Sequence, residues 1–596
     1  MKADATDLQS LLEGKVQYAV PPYQRPYVWN EEDQWEPLWQ DLTGAVARLE
    51  DNTTANDPSN HFIGAIVLQS ESNKIVTTNR HWIIDGQQRL TTLSLVIKAA
   101  QLVSLKHGQE DLAAEYLDLL FNKRAESAEL NIKVRPTRLD EPAFRAAMDH
   151  DVGSLQLIEN ERITHAFLFF KKSIDAWLAE GDAESSDPAT RLNLLHKVIS
   201  RCVSVVLIQL EGREDPQIIF ETLNDRGAPL LAADLVKNYL LRKAETQGED
   251  AQRIYEHDWR PLEDEYWRKG VTVGRSEVPR IDLFMTRYLA MKISSDVVSS
   301  QLFKTYRSYL DSAKLKPSDA VKDLAAYAAT YRKLLAWVDE PKPIKSHHSS
   351  QRLVKSVWDF EANPLYSALL WLFGPEINIE DDVRERCARI LDSWVVRRAA
   401  SGLTTKNINK TSLLMLERLR KHGNQADILQ KFILGKEGVA TIEDPTDKAL
   451  LRYLETAPAY KSLGQRRVAA LLRAVESSLN KNDPDWVPAG PLTVEHVMPS
   501  SWKENWPLGS DDEMALSTRR AAIHNLGNLV LLTRRLNSSI GNSKWTTKRA
   551  EIKKLTVLLH VRAVIESDSW NEELITKRAQ ALAGSIIQRW PAISNL

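Results

Sequence analysis

The residue types best suited to chemistry lie toward the C-terminal end. Residues 493–502 read TVEHVMPSSW, and residues 523–549 read IHNLGNLVLLTRRLNSSIGNSKWTTKR. Glu495 and His496 close a short β-like run, Pro499 follows, and Asn528 and Asn537 flank a strand-like LVLL. Phosphodiester hydrolysis needs a base for water and a hard cation to neutralise charge on the phosphate and the leaving oxygen. A neutral imidazole can be that base near pH 7, and a carboxylate with an Asn carbonyl, phosphate oxygens and water suits magnesium or manganese. In this pattern His496 is the base, Glu495 and Asn537 hold the metal, and Asn528, beside Gly527, fixes the backbone at His496. Taken singly, these residues read as a loop histidine and as turn or cap asparagines. The set together carries the chemical reading.

The surrounding charge suits a polyanion. From Arg519 to Lys554 there are nine Lys or Arg against one acid, Glu551, a net of nine minus one, or +8. Such a run is commonly a solvated helix face, but Arg534 and Arg535 beside the His and Asn set are candidate phosphate contacts.

Three further strings stand near the other end: PPYQRPYVW (21–29), WIIDGQQRLTTLSLVI (82–97) and IIFETLNDRGAPLLAADLVKN (218–238). In the second, a strand-like WIID meets Gly86 and then an apolar helical stripe. A glycine at that turn lets backbone N–H groups face a phosphate, Arg89 adds a forked donor, and Asp85 could hold magnesium. Neither GxxxxGK[ST] nor GxGxxG occurs, so any nucleotide site is of another kind. Tyr23, Gln24, Arg25, Tyr27 and Trp29 suit stacking on a base and bonding to its edge, or else pin a proline-rich loop to the core. Trp35 and Trp39, four apart, read as packing.

EHVMP, GNLVLL and the asparagine that follows resemble the HNH, or His-Me finger, nuclease domain at the C-terminus of GmrSD-type restriction enzymes. The three N-terminal strings resemble that family's N-terminal domain. The resemblance implies an α+β multidomain chain: a ParB-like and sulfiredoxin-like domain over 1–245, a mostly α-helical coupling region over 246–440, and a ββα-metal HNH nuclease embedded in helices over 441–596. It also implies that Asp85, Gly86, Gln87, Gln88, Arg89 and Thr91, with Asn224, Arg226 and Lys237, bind a nucleoside triphosphate (GTP, ATP, UTP or CTP). Lys548 matches a lysine usual in the nuclease domain and is placed with Arg534 and Arg535 on the DNA side. Asn537 stands where broader HNH enzymes often carry His, which favours magnesium or manganese over zinc. In relatives that sense phosphorothioate DNA, the loop equivalent to Tyr23, Gln24 and Arg25 takes part in recognition. The implied activity is modification-dependent cleavage of double-stranded phage DNA, for example glucosylated hydroxymethylcytosine DNA, gated by NTP. A phosphorothioate-sensing nickase, a nucleotide-binding regulator with a vestigial nuclease, and an RNA-cutting toxin are the other readings. One HNH centre cuts one strand at a time, which makes a homo-oligomer plausible.

The elements that must position these residues follow from periodicity. Apolar runs at His61–Gln69, Trp82–Asp85 and Cys202–Leu210 read as strands, while 91–105, 161–178 and 234–244 carry helical stripes. From about Gln247 to Lys481 nearly every segment reads as amphipathic helix, and KNDPDWVPAGPL (481–492) breaks it. His347 and His348 form a pair with no further ligand nearby. The 596 residues are 43% hydrophobic and 27% charged, with 78 Lys and Arg against 80 Asp and Glu. That excludes a disordered or fibrous chain and a globally basic nucleic-acid binder. Two cysteines exclude a disulfide framework. No signal-like or bilayer-length apolar run occurs, so a cytoplasmic protein without membrane partners is expected.

Overall fold

A computed structural model describes residues 2–21, 24, 26–50, 61–70, 78–150, 158, 161–179, 187–210, 231–273, 276–339, 348–404, 406–436, 439, 441–480, 492–508, 512–533 and 541–596. The chain divides into two compact units, Met1–Trp259 and Arg260–Leu596.

The first unit is built on a mixed six-stranded sheet. Its strands are β1 (Lys2–Asp7), β2 (Val16–Ala19), β3 (His61–Ser70), β4 (Asn79–Asp85), β5 (Val134–Arg135) and β6 (Val203–Leu210), in the order β1-β6-β3-β4-β2-β5. β3 runs parallel to β6 and antiparallel to β4, and β2 runs parallel to both β4 and β5. The strands expected from apolar runs are present; β1, β2 and β5 are too short or too polar to show such a signal. One face of the sheet buries Ile66, Leu68 and Ile83 against the helices Gln87–Lys106 and Arg162–Ala179. The Gln87–Lys106 helix is buried nearly all round, its polar residues Gln88, Thr92, Ser94, Lys98 and Gln101 included. The other face packs Val67, Ile84, Ile208 and Leu210 with Leu235 of the helix Ala232–Thr246.

In the second unit a 3-10 turn (Arg260–Glu263) and a short helix (Glu265–Arg268) lead into a hairpin, β7 (Gly270–Val273) and β8 (Ser276–Pro279). It interrupts the region expected to be helical; the VTV and SEV runs flanking a Gly-Arg pair are its sequence signal. Helices follow at Arg280–Ile293, Pro317–Asp339, Ser349–Asp359, Tyr366–Leu372, Asp381–Ala400 and Ala459–Leu479. Trp267, Phe284, Tyr331 and Tyr366 form a buried ring cluster between them. These helices and the C-terminal elements fall in one compact unit. Arg397, fully buried, is one reason: it reaches Asp444 at 3.1 Å, Asp447 at 2.8 Å and the Trp590 carbonyl at 3.0 Å. A buried guanidinium with several partners fixes which segments meet.

At the C-terminal end β9 (Leu492–His496) pairs antiparallel with β10 (Leu529–Thr533), setting Leu529 opposite His496 and Val530 opposite Glu495. The helix Glu513–Ile523 lies between the strands in sequence, and the helix Trp545–Leu555 follows β10. Among the described residues no helix is long and apolar enough to cross a membrane.

Candidate functional site

His496 is the last residue of β9, so the chain leaves the sheet directly after it. That exit is clamped by Asn528, which is fully buried. Its Oδ1 accepts from the Met498 N–H at 2.8 Å and from Trp570 Nε1 at 3.0 Å. Its Nδ2 donates to the carbonyls of Met498 at 2.9 Å and Ile523 at 2.8 Å. An amide with every site engaged has nothing left for a substrate. Asn528, placed with the catalytic set for the role of fixing the backbone at His496, does so as a positioning residue.

The His496 ring packs edge-on against Tyr460 at 4.6 Å, and its Nε2 lies 3.2 Å from His524 Nδ1. Burial, with His524 and the Lys548 ammonium adding to it, holds the His496 imidazole down at about 4. The ring is neutral at neutral pH and able to accept a proton. If Nε2–H donates to His524, Nδ1 of His496 is left as the acceptor; His524 then sets the tautomer. His524 and Tyr460 were missed in the sequence because a lone His at a helix end carries no periodic signal.

Beside it, Lys548 Nζ donates to Glu495 Oε1 at 2.9 Å and to the His496 carbonyl at 2.8 Å. Lys548 was expected on the DNA side; it is fully buried instead, and ties the helix Trp545–Leu555 to β9. Burial lowers its pKa and Glu495 opposes that shift. Arg519 is likewise buried, bonded to Glu572 and to the Trp506 carbonyl. Charge counting overstated the exposed basic face accordingly. Glu495 is 15% exposed, and among the described residues no hydrogen bond reaches its Oε2. Among the described residues no three His, Cys, Asp or Glu side chains form a metal-ligand group. Magnesium, though, keeps several waters and uses one or two carboxylates beside phosphate oxygens, which one open carboxylate oxygen suits. Asn537, Arg534 and Arg535 lie outside the described residues.

The other side of β10 is held by His560 and Glu476. His560 Nε2 accepts the Leu531 N–H at 3.1 Å, so the ring proton sits on Nδ1, 2.7 Å from Glu476 Oε2. Burial lowers the His560 pKa, with Glu476 partly opposing. Burial also resists ionisation of Glu476, but the His560 ring and the N–H groups of His560 and Leu559 outweigh it and hold the carboxyl below its usual range. Below the ordinary histidine value of 6.5 the unfolded chain takes up a proton that the folded chain refuses. The stability from this ring is therefore full above that pH and falls as pH drops. Scanning calorimetry from about pH 7 to about pH 5 is expected to show a falling midpoint, with a shallower fall in His560→Gln.

In the first unit, the turn after β4 has the expected form. Gly86 adopts φ 95° at the start of the Gln87–Lys106 helix, and no side chain caps that helix. A Cβ there would lie 3.0 Å from Ile66 Cγ1 and 3.2 Å from the Ile66 Cα, so glycine meets both the left-handed angle and the close approach. Arg89 lies 3.7 Å from Asp85 and donates to the Ala65 carbonyl at 2.9 Å. Gly64, unmarked in the sequence reading, makes room for it: a Cβ would stand 2.9 Å from Arg89 Nε.

Other expected site residues turn inward. Gln88 accepts from the Val28 N–H at 2.9 Å and donates to the Pro26 carbonyl at 3.2 Å. Gln24 donates to the carbonyls of Ile83 and Ile84, both at 2.9 Å. Tyr27 bonds to Thr92 and Trp35 at 2.7 and 2.9 Å. The described part of the 21–29 string is thus pinned to the core, which takes Gln24 away from a DNA base and Gln88 away from a nucleotide. Gln87 and Thr91 are buried on the same helix. Lys237 is fully buried, with its ammonium 3.9 Å from Asp234 and over the Tyr255 ring. Tyr23, Arg25, Asn224 and Arg226 lie outside the described residues.

A histidine ending one strand of a two-stranded hairpin, its exit clamped by a buried asparagine and a helix packed behind, is the layout of a ββα nuclease. Residues 8–241 match the model of the GmrSD restriction endonuclease N-terminal domain, and residues 444–585 match that of the GmrSD restriction endonuclease C-terminal domain. The chain belongs to the GmrSD restriction endonuclease family, a family of modification-dependent enzymes that cut DNA. No curated protein matches it.

Proposed function

We propose that this chain cuts modified double-stranded phage DNA by metal-dependent hydrolysis at His496, under control of a nucleoside triphosphate held at the Asp85–Arg89 turn. The observation that supports it is the neutral His496 imidazole beside the open Glu495 carboxylate oxygen, with the backbone after His496 clamped by Asn528. His496 takes the proton of the attacking water. Glu495 and Asn537 would hold magnesium or manganese, which when bound neutralises charge on the phosphate and leaving oxygen. A phosphodiester anion near His496 raises its proton affinity from the low value of the empty site. In the first unit, the N–H groups opening the Gln87–Lys106 helix suit phosphate, and Asp85 suits its magnesium. Two copies would supply the two centres that a double-strand break needs.

The test is cleavage of unmodified, glucosyl-hydroxymethylcytosine and phosphorothioate DNA with magnesium or manganese, with and without each NTP. Cutting confined to the sugar-bearing DNA is the expected result; cutting confined to sulfur-bearing DNA would move the chain to the nickase class. NTP hydrolysis with no DNA cut would point to a regulator or to an RNA substrate. Asp85→Asn is expected to lower NTP hydrolysis and NTP-dependent cleavage at least about tenfold, the equivalent of one charge-assisted interaction. Unchanged rates would remove the gating.

A further inference from the structure

The polar groups near the His496 ring divide into those with partners and those without. Lys548 and Arg519 are buried, and each is neutralised by an acid, Glu495 and Glu572. Lys461 is exposed, and among the described residues no acid pairs with it. Its neighbour Tyr460 donates its backbone N–H to the His524 carbonyl at 3.0 Å and packs its ring on both histidines, which holds Lys461 at the rim of the histidine pair. The Tyr460 hydroxyl and His524 Nε2 also have no hydrogen-bond partner among the described residues, and neither atom is buried.

The bond between the two rings decides what His524 Nε2 offers. His496 Nε2 faces His524 Nδ1 at 3.2 Å, so His496 acts as a base only through Nδ1, and its ring proton then sits on Nε2 and is donated to His524. Burial, and after it the Lys461 ammonium, hold the His524 imidazole below its usual range, so this ring is neutral at neutral pH. With Nδ1 accepting, the one proton of the neutral His524 ring is on Nε2. A single hydrogen bond thus leaves a base nitrogen on His496 and an outward N–H donor on His524. An ammonium beside a ring nitrogen that carries its proton offers no lone pair to a metal ion. Donors of this kind without acceptors suit phosphate oxygens.

We infer that Lys461 and His524 Nε2, with the Tyr460 hydroxyl beside them, hold a DNA backbone phosphate next to the one attacked at His496. The inference rests on the proposed role of His496 as the base, which fixes the tautomers of both rings. The ring centres are 5.3 Å apart, and both rings stand between His496 Nδ1 and His524 Nε2. The phosphate held is therefore a neighbour of the scissile one. Such a contact reads no base; it sets the register of the strand against the attacking water. Lys461 stands outside the basic run from Arg519 to Lys554, so counting charge along the chain does not reveal it.

The test is binding rather than cleavage. The full chain is titrated in EDTA with a fluorescent DNA duplex, unmodified or bearing glucosyl-hydroxymethylcytosine, by anisotropy over a range of salt. Lys461→Gln is expected to weaken binding to both duplexes and to lower the slope of log affinity against log salt by about 1, while Lys461→Arg keeps the slope. His524→Ala removes a neutral donor, so affinity is expected to fall about fivefold with the slope unchanged. An unchanged slope in Lys461→Gln overturns the inference, as does a slope that falls equally in Lys461→Arg. Unchanged affinity in His524→Ala overturns the assignment of Nε2. Because Lys461 is exposed, its replacement leaves the fold intact, and an unchanged denaturation midpoint checks this. DNA bound with a slope set by Lys461 but cut under no condition would sink the nuclease reading alone. DNA cut with a slope indifferent to Lys461 would sink the phosphate contact alone.

Discussion

Replacing His496 with alanine is expected to lower DNA cleavage at least about 100-fold, the lower end for loss of a general base, while DNA binding persists. The ring touches Tyr460 and His524, and the clamp on its backbone belongs to Asn528 and Lys548, so the fold loses little with it. Joint loss of binding and cleavage would instead show a folding role. His524→Ala is expected to cost about tenfold and to change the pH profile, because the hydrogen bond to His496 Nε2 is gone and the tautomer is no longer set. His524→Gln, which offers an acceptor near the same place, is expected to restore part of the rate. Equal rates for Ala and Gln would reduce His524 to packing.

Gly527→Ala is the substitution expected to cost the most stability, about 3 kcal/mol or more, at the upper end for overpacking. A Cβ at Gly527 would collide with the Ile575 carbonyl oxygen and lie 2.9 Å from the Ala579 backbone nitrogen. Both belong to the helix Glu572–Arg589, and backbone cannot swing aside as a flexible side chain can. Arg578 of the same helix donates to the Gly527 and Leu529 carbonyls at 2.6 and 2.8 Å, which fixes the close approach. Burial brings that guanidinium down to about 9. Because the next residue is Asn528, a displaced loop unclamps His496, and cleavage is expected to fall with the denaturation midpoint. An unfolding free energy within about 0.5 kcal/mol of the parent chain would mean that the helix does not approach so closely.

The sequence made the hairpin legible because its two strands carry their signal locally: TVEH and LVLLT pair over their full lengths, and the chemistry-bearing residues sit at their ends. Gly86 was legible for the same reason, as the turn between a strand and a helix. His524 was not, since its pairing with His496 spans 28 residues and depends on tertiary closure. The basic run misled in a related way. Lys548 and Arg519 count as charges in the sequence, yet burial gives each an acidic partner, Glu495 and Glu572, that neutralises it. Gln24 and Gln88 read as recognition residues because amides bond to anything; their backbone partners are set by how the 21–29 string folds onto β4 and the following helix. Buried groups such as Arg397, which bonds the Trp590 carbonyl, help tie the helical middle to the C-terminal elements, and periodicity is blind to them.

The helix Ala459–Leu479 carries Tyr460 against the His496 ring and Glu476 under His560. A helix turns by about 100° per residue. Inserting or deleting one residue between 466 and 476 would therefore rotate one of these contacts away from its partner while leaving composition and hydrophobicity almost unchanged. A one-residue insertion there is expected to lower the denaturation midpoint far more than the same insertion in a connecting loop.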